Sequence, residues 1–348
     1  AAFLRAASSV LAAARMTLLS PEQLLQRLSR RLDLLKADNK ADPRQQTLRA
    51  TIEWSFDLLE PSAQRLFTRL SVFAGGCTLD AAEVVCNADI DALEALLDKL
   101  LVRRAGERYS MLETIREHAS EGLDRSGEAG ELERLHGASF LALADEAEPN
   151  LRWSGSPGES LRRLLAEQDN LRVAFDGFAL AGESQFALQL AAALSRFWVM
   201  TGQLAEGRRR LESALAVDDA PTRARGRALN GLAVTTLGVD AAVARRSAAE
   251  AFTLNEMIGE SWGAAYAAFL HGQAAALAGD PAGAERILAD SLERFRKLRD
   301  DHYILLATDG LAGVYDELGD FASARPLHEE NLARARAQGN QRIVALSL

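Results

Sequence analysis

Four turns of one kind, spaced about a helical hairpin apart, constrain this chain more than any other feature. Gly202-Gln203-Leu204, Gly238-Val239-Asp240, Gly279-Asp280-Pro281 and Gly319-Asp320-Phe321 each close a run of helix-forming residues, and their glycines are 36, 41 and 40 residues apart. A period of that size is one helix-turn-helix unit. A small residue follows each turn at a helical offset: Gly207, Val243 or Ala244, Ala284, and Ala324. A lone hairpin of two helices cannot hide its apolar stripe, so successive units stack, and stacking leaves a concave groove lined by the first helix of each pair.

Composition agrees. Hydrophobic residues make up 48% of the 348, yet aromatics are only 6%. Alanine and leucine supply the apolar mass, which favours helix over sheet. The expectation is an all-α chain of more than one domain. The balance of 40 basic against 49 acidic residues gives a net charge of −9, which opposes phosphate backbones. Cys77 and Cys86 both sit among apolar neighbours in what reads as one helical segment, so a disulfide framework is not expected and a reducing cytoplasm is. No apolar run reaches the roughly 18 residues of a membrane span, and residues 2–14 are interrupted by Arg5.

The region before the repeats reads as a sequence of smaller pieces. Ser20-Pro21-Glu22-Gln23 starts a helix whose Leu24, Leu28, Leu32 and Leu35 share a face. A polar linker with Pro43 follows. From residue 44 to 125 come short helices: one crowded with Ile52, Trp54 and Phe56, a second begun by Pro61 and ended by Gly75 and Gly76, a third capped by Thr78, and a longer fourth over Ile90 to Leu101. Alternation from Leu101 to Met111 about Ala105-Gly106 predicts a β-hairpin, and a helix over Leu112 to Leu123 closes the set. Helices with a hairpin of this kind make a winged helix. Residues 126–186 read as a helical connector and 187–348 as the repeat array.

Several strings carry a family likeness: Leu18-Leu19-Ser20-Pro21-Glu22-Gln23-Leu24, Gln46 through Ser55 (QTLRATIEWS), Phe67 to Gly76 (FTRLSVFAGG) and Met111-Leu112-Glu113-Thr114-Ile115-Arg116-Glu117. Together they resemble bacterial STAND-type signalling ATPases, in particular ATPase-containing LuxR-type or SARP-type transcriptional regulators. The likeness covers residues 16 to about 176, with the looser repeat pattern beyond. It implies an NB-ARC-like nucleotide-binding domain, then a winged helix, then a tetratricopeptide (TPR-like) α-solenoid. On that plan residues 1–43 are the tail of the ATPase domain. The phosphate-binding loop needs a glycine-rich turn ending in lysine, and none of the four lysines, Lys36, Lys40, Lys99 and Lys297, follows a glycine. No ATPase activity and no cofactor are therefore expected of this chain. The family's Met-His-Asp nucleotide contact falls on Met111, Leu112 and Glu113, where leucine replaces the histidine and removes its polar contact.

Other chemistry is weakly signalled. Gly259-Glu260-Ser261-Trp262-Gly263 matches a nucleophile-elbow string, but no strand precedes it and Ser261 reads better as a helix cap. The five histidines, 118, 136, 271, 302 and 328, contain no pair at metal-ligand spacing. A winged helix invites a DNA-binding reading, yet the fourth helix carries Asp91, Glu94 and Asp98 against Lys99, and residues 44–125 hold 10 basic and 14 acidic residues. The favoured function is a regulatory interaction module: the groove takes a protein or peptide partner, and the winged helix couples that event to an ATPase domain in cis. The alternative is a transcriptional regulator that binds DNA through the winged helix. Aligning the repeats on their glycines puts Gln189, Arg196, Arg225, Tyr266, Gln273, Asp309 and Asp316 on the groove side, a set whose mixed charge suits protein better than nucleic acid. The chain begins without methionine and stops within a helical pattern, which predicts a piece of a longer protein.

Overall fold

A computed structural model describes residues 48–153 and 158–337 of the protein. The leucine-faced helix, the linker, the whole 1–43 segment and most of the Ser154–Gly158 loop lie outside the described residues. The described chain is overwhelmingly α-helical and divides into two compact units, residues 48–140 with 167–177, and residues 141–166 with 178–337.

The first unit opens with α1 (Leu48–Asp57) and α2 (Pro61–Arg69). Pro61 sits at the first helical position, where its missing N–H costs nothing. A 3-10 turn over Leu70–Val72 follows, then β1 (Cys77–Thr78), α3 (Leu79–Cys86), α4 (Ile90–Asp98), β2 (Arg103–Ala105), β3 (Arg108–Ser110) and α5 (Glu113–Ser126). Side-chain caps start the middle helices. Thr78 Oγ1 accepts from the Ala81 N–H at 3.2 Å, and Asp89 accepts from that of Ala92 at 3.3 Å. The expected hairpin forms, and β1 joins it to give a three-stranded antiparallel sheet in the order β1-β3-β2.

That third strand corrects the sequence reading in two places. Gly75 and Gly76 do not end α2, which stops at Arg69; with φ of +75° and +84° they turn the chain into the sheet. A Cβ on Gly76 would meet the Tyr109 carbonyl oxygen at 2.3 Å, so only glycine allows β1 to lie against β3. Cys77 accordingly belongs to a strand, not to the helix that holds Cys86. Both thiols are free and buried, and burial pushes both up, Cys77 to about 12. Neither is a nucleophile at neutral pH. Ile52, Phe67, Leu96 and Ile115 are among the largest fully buried side chains of this unit. His118 is buried with its ring 6.4 Å from those of Phe56 and Phe67.

α6 (Ala129–Trp153) and α8 (Gln168–Leu180) each contribute residues to both units, and α7 (Gly158–Ala166) belongs to the second. Within the first unit, the segment 167–177 is tied in by polar contacts. Arg108 on β3 pairs with Glu167 and donates to the Gly76 carbonyl at 3.0 Å, while Asn170 Nδ2 donates to that same carbonyl at 2.9 Å. His136 is buried against Phe73 and Phe140, with Asn170 Oδ1 3.4 Å from its Nε2.

The second unit continues with α9 (Ser184–Met200), α10 (Leu204–Val217), α11 (Arg223–Thr236), α12 (Ala241–Ile258), α13 (Ser261–Leu277), α14 (Pro281–Leu298), α15 (Asp301–Leu318) and α16 (Phe321–Ala337). These form successive hairpins. Each helix packs on the next, and the first helices α9, α11, α13 and α15 also pack on one another in order. The turns repeat in atomic detail. A backbone bond spanning five residues closes Gln203 N–H onto the Trp198 carbonyl at 2.8 Å, Asp280 onto Ala275 at 3.0 Å and Asp320 onto Tyr315 at 2.9 Å. Gly202, Gly279 and Gly319 hold the left-handed φ this requires, whereas Gly238 does not. Asp240, Asp280 and Asp320 then cap the following helices by accepting from Val243, Gly283 and Ser323 N–H groups at 3.0–3.2 Å.

The small positions after the turns are the interhelix contacts. Ala244, Ala284 and Ala324 are buried, which resolves the Val243 or Ala244 ambiguity in favour of alanine. Gly207 is tighter still, since a Cβ there would lie 2.8 Å from the Trp198 ring. The core of the array runs through Phe269, Leu270, Leu288, Phe295 and Tyr303. No helix of the described residues is long and apolar enough to cross a membrane.

Candidate functional site

Inside the second unit, the first helices of three repeats and the end of α6 surround a cavity of about 440 Å³. α6 brings Asp145, Glu148, Pro149 and Arg152. α9 brings Ser195 and Arg196, α11 brings Arg227 and Asn230, and α13 brings Trp262 and Tyr266. The volume falls in the range of sites that take a small molecule or a few side chains of a peptide.

Local sequence explains how these groups converge. Gly226 on α11 and Gly263 on α13 both press on Asn255 of α12; a Cβ would come within 2.5 Å and 2.7 Å of its Oδ1. Absence of side chains at these two positions draws three helices together at the cavity wall. Asn255 is held by donation from its Nδ2 to the Ala251 carbonyl at 2.8 Å. Pro149, within α6 at the cavity wall, lacks the N–H that would bond the Asp145 carbonyl one turn back.

Charges in the cavity are paired with one exception. Arg152 bonds Glu148 on the same helix, and its guanidinium lies 4.3 Å from the centroid of the Trp262 ring. The Trp262 indole N–H donates to Asp300 at 2.8 Å. Arg227 bonds Asp145 at 3.3 Å and lies 4.0 Å from Glu148. Arg223, at the rim, pairs with Glu260 at 3.3 Å. Arg196 has no hydrogen bond or ion pair to any of the described residues, and its Nε is buried without an acceptor. Asn230 donates through Nδ2 to the Gly263 carbonyl at 3.1 Å, and its Oδ1 is buried without a donor. An unmet buried polar atom costs about 1–3 kcal/mol, and more when charged. Tyr266 closes the floor, buried against Trp262, Phe269 and Tyr303, and burial raises its hydroxyl above the usual tyrosine value.

The seven groove residues expected from sequence are distributed unevenly. Arg196 and Tyr266 line the cavity. Arg225 instead ties α11 to the end of α10, donating to the Leu215 and Asp218 carbonyls at 3.0 Å and 2.7 Å and to Glu250 at 2.7 Å. Gln189, Gln273 and Asp309 are half-buried on α9, α13 and α15, outside the cavity lining. Asp316 is exposed and meets His328 at 2.9 Å. Met111, Leu112 and Glu113 lead into α5 in the first unit, where Glu113 pairs with Arg116 at 2.8 Å.

Sequence reasoning missed α6 as a wall and Trp262 as a contact. The four-residue spacing of Glu148 and Arg152 around Pro149 was the available signal. Trp262 lay in the string read for Ser261, and there a further correction is needed: Glu260 occupies the N-cap of α13 without a side-chain bond to the helix N–H groups, and Ser261 is the first helical residue. No strand leads into it, so the elbow geometry is absent at this string. Among the described residues no group of three or more His, Cys, Asp or Glu could hold a metal ion.

Known proteins give the fold a context. No family model matches the chain. A Mycobacterium tuberculosis protein provisionally named an HTH-type transcriptional regulator is 38% identical over 208 residues, which is 56% of this chain and 23% of that protein. An uncharacterized protein of the same species is 40% identical over 133 residues, 34% of each chain. The chain thus spans about a quarter to a third of the length of the curated relatives it matches. Among solved structures, a Signal Transduction ATPase with Numerous Domains (STAND) protein with a tetratricopeptide repeat sensor, from Pyrococcus horikoshii, superposes with a TM-score of 0.51 at 16% identity, covering 99% of this chain and 55% of that one. The fold is all-α, with a TPR-like helical repeat. Such folds present binding surfaces, and this one offers a cavity with an uncompensated cation.

Proposed function

We propose that the chain is the interaction part of a bacterial signalling or transcriptional regulator. Its repeat groove receives a protein or peptide partner at the cavity between α6, α9, α11 and α13. The observation that carries this reading is Arg196, a half-buried guanidinium facing that cavity with no counter-charge among the described residues. An array used only as a scaffold has no reason to keep such a group unpaired.

In the same reading, residues 44–125 are a winged helix that transmits partner binding to an NB-ARC-like ATPase domain encoded upstream, and residues 1–43 are the end of that domain. The name of the mycobacterial relative and the STAND neighbour support this plan. Exposed Asp91, Glu94 and Asp98 on α4 favour a role in contacts between domains over contact with DNA. The test is affinity capture from lysate by the full chain, by Arg196→Gln and by Tyr266→Leu. A partner retained by the parent and lost by folded variants supports the groove; capture unchanged by both variants removes it.

A further inference from the structure

Four guanidinium groups and three carboxylates line the cavity, and three of the four arginines are matched: Arg152 to Glu148, Arg227 to Asp145 and Arg223 to Glu260. Arg196 is left over. A ligand that completes this site brings one negative charge; a dianion such as a phosphate monoester would overshoot and meet the fields of Glu148 and Asp145. A planar guanidinium matches a carboxylate in shape as well as charge.

The second unmet atom points the other way. Asn230 Oδ1 is an acceptor, and its identity is fixed by the other end of the amide, because Nδ2 must face the Gly263 carbonyl. It requires an N–H. One acceptor for a donor and one cation for a carboxylate, beside the Trp262 and Tyr266 rings, describe a ligand with a carboxylate, an amide or ammonium N–H and an apolar part.

We infer that the cavity is a carboxylate-recognition site for an acidic peptide segment, with Arg196 taking an aspartate, glutamate or C-terminal carboxylate and Asn230 Oδ1 accepting a backbone N–H of the same segment. The inference deepens the groove reading above and rests on it for the macromolecular partner. A free amino acid offers the same two groups, so the test separates the sources.

The experiment uses the full chain and an array of octapeptides, blocked at both ends, each with a single glutamate or its glutamine counterpart, plus unblocked versions and free glutamate. Binding is read by fluorescence polarisation for the parent, Arg196→Gln, Arg196→Lys and Arg325→Gln, the last an exposed site with the same change of charge. Thermal melting confirms that each variant folds. The expected result is at least tenfold preference for glutamate over glutamine peptides, lost in Arg196→Gln, partly kept in Arg196→Lys and unchanged in Arg325→Gln. If free glutamate competes as well as any peptide, the carboxylate site stands and the protein-partner reading falls. Peptide binding without glutamate preference, or with a preference that survives Arg196→Gln, overturns the inference while leaving the groove reading in place. No binding of any carboxylate probe also overturns it.

Discussion

The Arg152 guanidinium lies over the Trp262 ring, 4.3 Å from its centroid, and the edge of that indole donates to Asp300. One side chain thus joins α6, α13 and the N-cap of α15, since Asp300 also accepts from the Tyr303 N–H at 3.1 Å. Replacing Trp262 with alanine removes the stacking, the hydrogen bond and the contacts with Tyr266 and Tyr303. We expect a loss of about 2–4 kcal/mol in denaturant unfolding. Trp262→Phe keeps a ring beneath Arg152 but takes the donor from Asp300 Oδ2, leaving the Tyr303 N–H on Oδ1, and should lose about half as much. Equal stability of Trp262→Ala and the parent would contradict this role.

Glycine-to-alanine substitutions should change sign with position. In an open helical site alanine gains up to about 1 kcal/mol over glycine, and Gly313 in α15 is such a site, with nothing within 4 Å of a Cβ built there. Gly263→Ala instead drives a methyl to 2.7 Å from Asn255 Oδ1 and should cost about 1–3 kcal/mol. All three atoms nearest that methyl belong to Asn255, so the double variant with Asn255→Ala should show strong positive coupling. Simple additivity would mean that the wall is looser than described.

Acid should weaken the first unit through His136. Burial among Phe73 and Phe140 pushes this imidazole down to about 4, the contact with Asn170 opposing the shift only in part. The unfolded chain binds the proton near pH 6.5, and the folded state resists it, so stability is full above that pH and falls as pH drops from 6.5 towards 4. The loss at the acid end is at most about 3 kcal/mol. Urea midpoints measured between pH 8 and pH 4 should follow this course, and His136→Phe should flatten it. An unchanged slope in that variant would assign the effect elsewhere.

Arg108 and Glu167 form a half-buried pair that fastens the segment 167–177 to β3. Removing either partner leaves the other charge unmet, so Arg108→Ala and Glu167→Ala should each destabilise strongly while the double variant costs less than their sum. A coupling energy of about 1–3 kcal/mol is expected from a double-mutant cycle. Independent effects would show that this segment is held by its apolar contacts alone.

The repeat was legible because its signals are local. Glycine in the left-handed region, aspartate caps and small residues one turn later are each dictated by the chain within a few residues, and Gly202, Gly279, Gly319, Ala284 and Ala324 sit where the spacing put them. Gly238 makes its turn without positive φ, a difference that spacing alone does not encode. The cavity was only half legible. Arg196 and Tyr266 lie on first helices, where periodicity finds them, but Asp145, Glu148 and Arg152 reach the site from a helix outside the repeat. Arg225 shows the opposite failure: its position fits the groove, yet nearby carbonyls at the end of α10 capture its guanidinium. Strand β1 was missed because it is two residues long, Cys77 and the helix cap Thr78 directly after Gly76, and leaves no alternation to read.

The central claim is that binding occurs at the Arg196 cavity, and site-specific photo-crosslinking in cells addresses it most directly. A benzophenone side chain would replace exposed Arg223 at the cavity rim or exposed Arg325 on α16. The account predicts a discrete protein adduct from position 223 that disappears when Arg196→Gln is added, with no matching adduct from position 325. An adduct confined to position 325, or one at 223 that is indifferent to Arg196→Gln, would contradict it.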